Sequence, residues 1–287
     1  MLAPEILSAL TTPFLPEGDL DRTAFVANLE RLAPLVDGVF VAGTTGEFPA
    51  LDSREHALLT QEALRVFGPE RVVVHVGAPS TRQSLALTAE AVRLGARRFA
   101  ALTPYYLPAS AAGTTRHWAA IKEACGGELY GYVYPDVAVS DLLPADLPAV
   151  LASGIDGIKT SATAAGRVEE YLDVAPSGFK LWSGNDADVP HVMAAGGTGT
   201  VSGCAGVYPW PWVDLREALR TGDQAAVSVA QARIERIVPL IGPSIANLKY
   251  GLDAQGLSGG ACRMPIDDPD DATRRHIEET LTLVSPT

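Results

Sequence analysis

The chain has 287 residues, of which 47% are hydrophobic and 20% are charged, and it carries a formal net charge of −12. This is enough apolar material for one large core, and α/β barrels of this length form a single domain. The negative charge argues against nucleic acid and anionic membranes as partners, because both would be repelled.

The cysteines and histidines indicate no metal site. The three cysteines include no CxxC pair, and the five histidines form no HExxH or comparable cluster. An odd number of cysteines is typical of a reducing compartment rather than of a disulfide framework. The beginning of the sequence lacks the pattern of a secretory signal, and no run of about 18 apolar residues could span a membrane. We therefore expect a cytoplasmic protein that binds no metal.

Short apolar runs alternate with helix-like segments along most of the chain. The runs show no strict alternation of polar and apolar residues, as is typical of parallel strands that are covered on both faces. Eight runs are predicted to be strands: Leu7–Phe14, Gly38–Gly43, Arg71–Gly77, Arg98–Pro104, Leu129–Pro135, Gly154–Thr160, Lys180–Asn185 and Gly199–Cys204. Helical spacing between them is clearest in Asp21–Leu35, Ser53–Phe67 and Thr81–Leu94, and Ser53 is the predicted N-cap of its helix.

Eight strand–helix units in succession predict an α/β fold of the (β/α)8 TIM barrel type. A doubly wound open sheet is the alternative, but the chain has no GxGxxG turn. After Pro209 the sequence predicts only helices, at Trp212–Arg220, Asp223–Leu240, Ser244–Gln255 and Asp270–Val284. We therefore expect a barrel over residues 1–222 and a C-terminal helical extension, packed on the barrel, over residues 223–287.

Lys159 is the main candidate for chemistry. Active sites of TIM barrels lie at the carboxyl ends of the strands, and Lys159 ends the sixth predicted strand. Burial disfavours the charged ammonium, and a neutral amine can form an imine with a carbonyl compound. The alternative is a structural lysine whose ammonium pairs with a carboxylate or extends to solvent. Of the other lysines, Lys180 begins a strand and is expected at the opposite end of the barrel, whereas Lys122 and Lys249 are expected to be solvated on helices.

Hydroxyl-bearing residues occupy two neighbouring strand ends. Alternation along the fifth predicted strand puts Tyr130, Tyr132 and Tyr134 on one face. A tyrosine inside a barrel can relay protons, although core packing could also account for it. After the second strand, Gly43–Glu47 (GTTGE) predicts a tight loop whose amide groups could hold a carboxylate, or an ordinary strand-to-helix turn.

Five motifs at predicted strand ends together resemble the dihydrodipicolinate synthase / N-acetylneuraminate lyase superfamily of class I, pyruvate-dependent aldolases. The likeness covers essentially the whole chain, barrel and extension alike. The motifs are Gly43-Thr44-Thr45-Gly46-Glu47, Thr103-Pro104-Tyr105-Tyr106, Tyr132-Val133-Tyr134-Pro135, Gly157-Ile158-Lys159 and Ser183-Gly184-Asn185-Asp186.

The resemblance implies a role for each matching residue. Lys159 matches the lysine that forms the Schiff base, and Tyr132 matches the tyrosine that relays protons. Thr44 matches the hydroxyl that links this tyrosine to a second one, and Thr45 matches the threonine that binds the pyruvate carboxylate. The remaining matches are Tyr106, which in the family reaches into a neighbouring subunit's site, and Gly184 and Val201, whose backbone shapes the pyruvate pocket. The family is commonly a dimer of dimers, so a homo-oligomer, either a tetramer or a dimer, is expected.

One position departs from the synthase pattern. Dihydrodipicolinate synthases typically carry an arginine five residues after the matching tyrosine, where it meets the carboxylate of aspartate semialdehyde; here that position is Val137. Without the guanidinium, a charge-assisted contact of about 1.5–3 kcal/mol is missing. The Tyr-x-Tyr-Pro pattern resembles instead the 2-keto-3-deoxygluconate aldolase branch, in which positions matching Ser161 and Asp186 face hydroxyl groups of the sugar-derived aldehyde.

We therefore predict a lyase without a cofactor, which joins pyruvate to an aldehyde, or releases them, through an imine on Lys159. A 2-keto-3-deoxy sugar-acid aldolase is the first expectation, dihydrodipicolinate synthase the second, and another lyase, hydratase or dehydratase on the same scaffold the third. A sensor that binds a 2-oxo acid without turnover is the alternative from a different class. Simple carboxylate binding, however, needs no amine at a strand end.

Overall fold

The computed structural model describes residues 3–242 and 244–284. Residues 1, 2, 243 and 285–287, which belong to the predicted barrel and extension, lie outside the described residues. Eight parallel strands pair in chain order, and the last pairs with the first to close a barrel. The strands are β1 Glu5–Ala9, β2 Gly38–Val41, β3 Val72–His75, β4 Arg98–Leu102, β5 Glu128–Val133, β6 Gly157–Thr160, β7 Lys180–Ser183 and β8 Gly199–Ser202.

Helices surround the strands and continue beyond them. Those that lie between β1 and β8 are α1 Arg22–Leu32, α2 Ser53–Phe67, α3 Thr81–Arg93, α4 Ala111–Cys125, α5 Pro135–Ala138, α6 Leu147–Val150, α7 Val168–Val174 and α8 Val189–Ala194. After β8 follow α9 Cys204–Val207, α10 Trp210–Thr221, α11 Gln224–Ile241, α12 Ile245–Asp253 and α13 Asp271–Val284. Because α11 contacts both α10 and α13, the helices of the predicted extension pack on the barrel. The division of the chain at residue 222 stays a prediction.

The strands are shorter than their apolar runs. The predicted first strand, Leu7–Phe14, overlaps β1 but continues five residues beyond it, although Leu10, Thr12 and Phe14 are buried. Leu10 N–H still donates to the Phe40 carbonyl of β2 at 3.2 Å, whereas Phe14 forms isolated bridges to Leu20 and Ala261, so the burial of Phe14 does not come from the barrel ladder. The predicted N-cap Ser53 is wrong by one position, because Asp52 caps α2 and forms a capping box with Glu55.

Two apolar layers position the site. An outer layer lies between the strands and the helices, and an inner layer fills the barrel. The inner layer includes Tyr130 and Tyr132, which alternation along β5 placed on one face. At the amino end of the barrel, Arg98 binds Glu5 at 2.8 Å and Trp182 donates to the same carboxylate at 3.0 Å. Charged and aromatic side chains therefore fill the amino end of the barrel. None of the helices in the described part of the chain is long and apolar enough to cross a membrane.

Candidate active site

A cavity of about 640 Å³ opens at the carboxyl ends of the strands. This is the usual position of a TIM-barrel active site, and the volume suits a small organic ligand. Eight of the nine predicted site residues line the cavity: Thr44, Thr45, Tyr132, Lys159, Ser161, Gly184, Asp186 and Val201. Tyr106 is the exception, because its side chain is 83% exposed on the loop after β4.

Lys159 lies at the inner wall of this cavity. It pairs in register with Tyr132 of β5 and Trp182 of β7. Its side chain is 6% exposed, and Nζ lies 4.0 Å from the centroid of the Tyr132 ring and 5.1 Å from that of Phe40. The amine is thus buried against aromatic faces at the wall of the cavity, where a carbonyl compound in the cavity could reach it.

The four lysines differ in their partners. Lys180 binds Glu128 at 2.8 Å at the amino end of the barrel, as expected of a structural residue. Lys249 was predicted to be solvated, and this prediction was wrong, because Lys249 is buried in an ion pair. Lys122, predicted likewise, binds Asp156 at 2.6 Å. Among the described residues, Lys159 alone of the four forms no ion pair. The carboxylate partner that a structural role would call for is therefore absent from the described part of the chain.

Tyr132 is held by polar and aromatic contacts. Its hydroxyl group lies 3.2 Å from the Thr44 hydroxyl, at hydrogen-bond distance. The Tyr134 ring, also at the cavity, lies 6.1 Å from that of Tyr132, and burial raises the pKa of Tyr134. On another side the Tyr132 ring meets the edge of His75. Burial lowers the pKa of His75 to about 3, so this imidazole is a neutral wall.

The Gly43–Glu47 loop is tightly folded between β2 and α2. Its turn is closed by Gly46 N–H, which donates to the Gly43 carbonyl, and by Glu47 N–H, which donates to the Thr44 carbonyl, both at 3.0 Å. Glu47 has φ of 54°, which a residue other than glycine adopts only when its surroundings hold it there. Within the described part of the chain, neither the Thr44 nor the Thr45 amide donates a hydrogen bond. Binding of a carboxylate by these amides, which the GTTGE motif indicates, stays a prediction.

Gly184 leaves space in front of the lysine. A Cβ atom at this position would lie 2.4 Å from Ser161 Oγ and 3.4 Å from Lys159 Cε. It would also lie 3.0 Å from the Thr160 carbonyl oxygen, which cannot move freely because it accepts a hydrogen bond from Gly184 N–H. Only glycine therefore keeps the cavity open between Lys159 and Ser161.

Asp186 is a buried carboxyl group at the cavity wall. Burial raises its pKa to about 6, and the nearby Ser202, Cys204 and Lys159 act in the opposite direction. Its Oδ1 has no hydrogen-bond partner among the described residues. An unpaired carboxyl oxygen is costly, and a hydroxyl group of a ligand could supply the missing donor.

The extension contributes a wall that the sequence did not predict. Ser244, Ile245 and Leu248, at the start of α12, line the cavity together with Ile266. No local pattern marked these positions, because an apolar residue on a helix is ordinary core material. The part of the lining that Ile245, Leu248 and Ile266 supply is therefore apolar.

The structure places Val137 outside the cavity. It lies on α5 with a side chain that is 48% exposed, and it is not part of the cavity lining. Residues 134–143 contain no lysine or arginine, but Arg167 reaches this segment from beyond β6 and binds Asp141 at 2.9 Å. Among the described residues that line the cavity, Lys159 is nevertheless the only lysine or arginine.

Comparison with known proteins gives relatives over nearly the whole chain. The Dihydrodipicolinate synthetase family matches residues 3–284. A protein of Exiguobacterium sibiricum named 4-hydroxy-tetrahydrodipicolinate synthase is 30% identical, over 96% of this chain and 95% of its own. Dihydrodipicolinate synthase DapA-2 of Bacillus anthracis has the same fold, with a TM-score of 0.92 and 23% identity over 100% of both chains. So does a prophage protein of the dihydrodipicolinic acid synthase family from E. coli K12, solved in complex with pyruvate, with a TM-score of 0.89 and 23% identity over 99% of both chains.

These matches confirm the superfamily that the five motifs indicated. They do not single out its 2-keto-3-deoxygluconate aldolase branch, since the curated relative is named as a synthase. That branch therefore stays a prediction, whereas the matches confirm the enzyme class. The chain belongs to the dihydrodipicolinate synthetase family and is an enzyme of the lyase and aldolase type rather than a non-catalytic sensor.

Proposed function

We propose that Lys159 forms a Schiff base with pyruvate and that the enzyme makes or breaks a carbon–carbon bond through the resulting enamine. The observation that carries this proposal is the isolation of Lys159. It is buried at the end of β6 in a cavity, over two aromatic rings, and has no ion-pair partner among the described residues. A lysine without a counter-ion is poorly explained by a structural role, and its neutral form is a nucleophile.

The proposed reaction begins on the ketone carbon of pyruvate. Nζ of neutral Lys159 attacks this carbon, and the carbinolamine loses water to leave a protonated imine. Loss of a methyl proton gives the enamine, whose terminal carbon attacks the aldehyde carbon while the aldehyde oxygen takes up a proton. Water then hydrolyses the imine, which releases the product and restores Lys159. Cleavage is the same sequence in reverse.

Tyr132 and the GTTGE loop have the remaining roles. Tyr132, whose ring lies against the amine and whose hydroxyl meets that of Thr44, is proposed to carry protons to and from the reacting oxygen. Thr45 and the loop amides are proposed to hold the pyruvate carboxylate. Gly184 and Val201 bound the space for its methyl and carbonyl groups.

For the second substrate we propose an uncharged, hydroxylated aldehyde, as in a 2-keto-3-deoxy sugar acid. Asp186, with an unpaired oxygen, and Ser161 can bind hydroxyl groups. An aldehyde that carries a carboxylate would meet the Asp186 carboxyl group and, among the described lining residues, no cation other than Lys159. Like charges repel one another more strongly in a buried site than in water.

Dihydrodipicolinate synthase is the second candidate, and the name of the curated relative supports it more directly than it supports a sugar-acid aldolase. The synthase needs a cation for the carboxylate of its semialdehyde. Arg167, bound to Asp141 beside α5, is the described residue that could supply one after a side-chain movement. An arginine of a neighbouring subunit is the other possible source.

The imine is tested by trapping. Incubation with pyruvate and borohydride should attach a reduced pyruvyl group to Lys159, which peptide mass spectrometry would detect. Lys159→Arg should abolish labelling, because a guanidinium stays protonated. Lys180→Arg, which changes a lysine at the opposite end of the barrel, is the control and should label as the wild type does. Labelling elsewhere in an active preparation would refute the mechanism.

The aldehyde is tested by competition. We expect kcat/KM for glyceraldehyde-type acceptors to exceed that for aspartate semialdehyde by at least about tenfold, which corresponds to roughly 1.4 kcal/mol. Pyruvate consumption reports both reactions. A preference for the semialdehyde, lost in Arg167→Ala, would establish the synthase instead.

We also propose a homo-oligomer, a tetramer or dimer, in which Tyr106 contributes to a neighbouring site. Its exposure of 83% and its φ of 75° support this, because a large aromatic side chain is held out from the surface in a conformation that costs energy. Sedimentation of the wild type and of Tyr106→Ala, with activity measured in parallel, tests the proposal.

A further inference from the structure

A buried ion pair joins the extension to the loop that faces the cavity. Lys249 Nζ on α12 lies 2.6 Å from Glu47 Oε1, and the two side chains are 2% and 0% exposed. The same ammonium donates to the Ala261 carbonyl at 2.5 Å. The other carboxylate oxygen of Glu47 accepts from the amides of Arg263 and Met264, at 2.8 and 2.7 Å. Every hydrogen bond found for the Glu47 side chain thus comes from the extension.

Burial of this pair is not explained by stability alone. Removing two charges from water costs free energy that their mutual attraction repays only partly, and well-packed apolar residues often serve equally well. What a charged pair adds is a single permitted geometry. Here that geometry is imposed on Glu47, the last residue of the Gly43–Glu47 loop, whose φ of 54° is unfavourable without such support.

Hydrogen bonds connect Glu47 to the residues that line the cavity. The backbone of Glu47 donates to the Thr44 carbonyl at 3.0 Å, and the Thr44 hydroxyl meets the Tyr132 hydroxyl at 3.2 Å. The helix that carries Lys249 also supplies Ile245 and Leu248 to the cavity wall. One helix of the extension therefore both lines the cavity and holds the Gly43–Glu47 loop beside it.

We infer that Glu47 and Lys249 are positioning residues, and that the C-terminal extension, through them, sets the geometry in which Thr44 and Thr45 receive the carboxylate of the 2-oxo acid. This inference rests on the proposed function for the identity of the ligand. Neither side chain touches the substrate. Loss of the pair should therefore displace the loop and weaken pyruvate binding more than it slows the chemistry of bound pyruvate.

A matched pair of variants tests the inference. Lys249→Met removes an ammonium that binds one carboxylate and one backbone carbonyl. Lys122→Met does the same at the far end of the barrel, where Lys122 binds Asp156 at 2.6 Å and the Gly127 carbonyl at 2.8 Å. Three kinds of measurement are made on both full-length variants: steady-state kinetics with pyruvate (KM and kcat), the pyruvate concentration needed for half-maximal borohydride trapping, and amide hydrogen exchange of peptides that cover residues 43–50.

For Lys249→Met we expect KM and the half-trapping concentration to rise about 10- to 100-fold, the usual effect of a small misplacement of binding groups, with a smaller change in kcat. Exchange in residues 43–50 should accelerate. Lys122→Met should leave all three near wild-type values. If Lys249→Met does not fold, Glu47→Gln, which keeps the size of the side chain and removes its charge, should change the same quantities in the same direction.

Two outcomes separate this inference from the proposed function. Wild-type KM and exchange in Lys249→Met, or equal changes in Lys122→Met, would overturn the positioning role. A wild-type enzyme that pyruvate and borohydride fail to label would overturn the proposed function, whereas the exchange measurement would still decide whether the ion pair anchors the loop.

Discussion

Replacing Asp186 by asparagine is expected to stabilise the fold at neutral pH and to weaken the use of hydroxylated aldehydes. Burial raises the pKa of Asp186 from its ordinary 3.8 to about 6. Since one pKa unit corresponds to about 1.36 kcal/mol, keeping this carboxylate ionised in the fold costs on the order of 3 kcal/mol at pH 7. Asparagine has nearly the same shape and cannot ionise.

The sign of the pH dependence follows from proton binding. Between pH 4 and 6, roughly, the folded wild type binds more protons at this site than the unfolded chain does, so its stability falls as pH rises and then levels off. The melting temperature of Asp186→Asn should therefore exceed that of the wild type by an amount that grows from pH 4.5 to pH 7, reaching about 5 °C or more. Thermal unfolding of both proteins across this range measures the difference.

Activity of the same variant tests the role of the carboxyl group. Glyceraldehyde carries hydroxyl groups that propanal lacks, so Asp186→Asn should lower kcat/KM for glyceraldehyde by about 10- to 100-fold, as expected for a hydrogen bond to a charged group, and leave propanal nearly unaffected. A melting difference that does not change with pH would refute the burial argument. An equal loss with both aldehydes would show that Asp186 does not recognise hydroxyl groups.

Four further outcomes are expected. Tyr132→Phe should fold but lose about 10²–10⁴-fold in kcat, as for a lost general acid–base, and near-normal kcat would make it a core residue. Thr45→Val should mainly raise KM for pyruvate in steady-state assays, since it removes ground-state binding. Val137→Arg should narrow the gap between glyceraldehyde and aspartate semialdehyde, and an unchanged ratio would contradict this. Burial lowers the pKa of His75 from 6.5 to about 3, so below pH 6.5 the unfolded chain binds a proton at this histidine that the folded protein does not bind. The free energy of unfolding of Asp186→Asn, measured with urea, should therefore fall as the pH drops below about 6.5.

The choice of aldehyde depends on one positive charge near the cavity. The curated relatives are named as synthases, whereas the described cavity lining contains Lys159 as its only lysine or arginine. The two indications disagree because family membership follows from the whole chain, while the choice of aldehyde depends on a few positions at the rim. Val137 lies outside the described cavity lining, whereas the structure brings Arg167 beside α5.

The order and type of the elements were contained in the sequence. Eight apolar runs separated by helical spacing predict a barrel because strand and helix patterns are local, and the carboxyl ends of parallel strands meet at one rim by topology alone. Eight of nine candidate residues therefore lie around one cavity. Strand ends were less well predicted, since residues such as Phe14 are buried by contacts outside the ladder, with Leu20 and Ala261.

Only the tertiary structure decided which polar groups have partners. Lys159 and Lys249 both lie within apolar stretches of sequence, yet one has no counter-ion in the described part of the chain and the other is buried against Glu47, 202 residues away. Likewise, Ile245 and Leu248 became cavity wall because α12 folds back over the barrel mouth. Local patterns carry propensity and periodicity, whereas the pairing of charges and the enclosure of a site depend on contacts between segments that are distant in sequence.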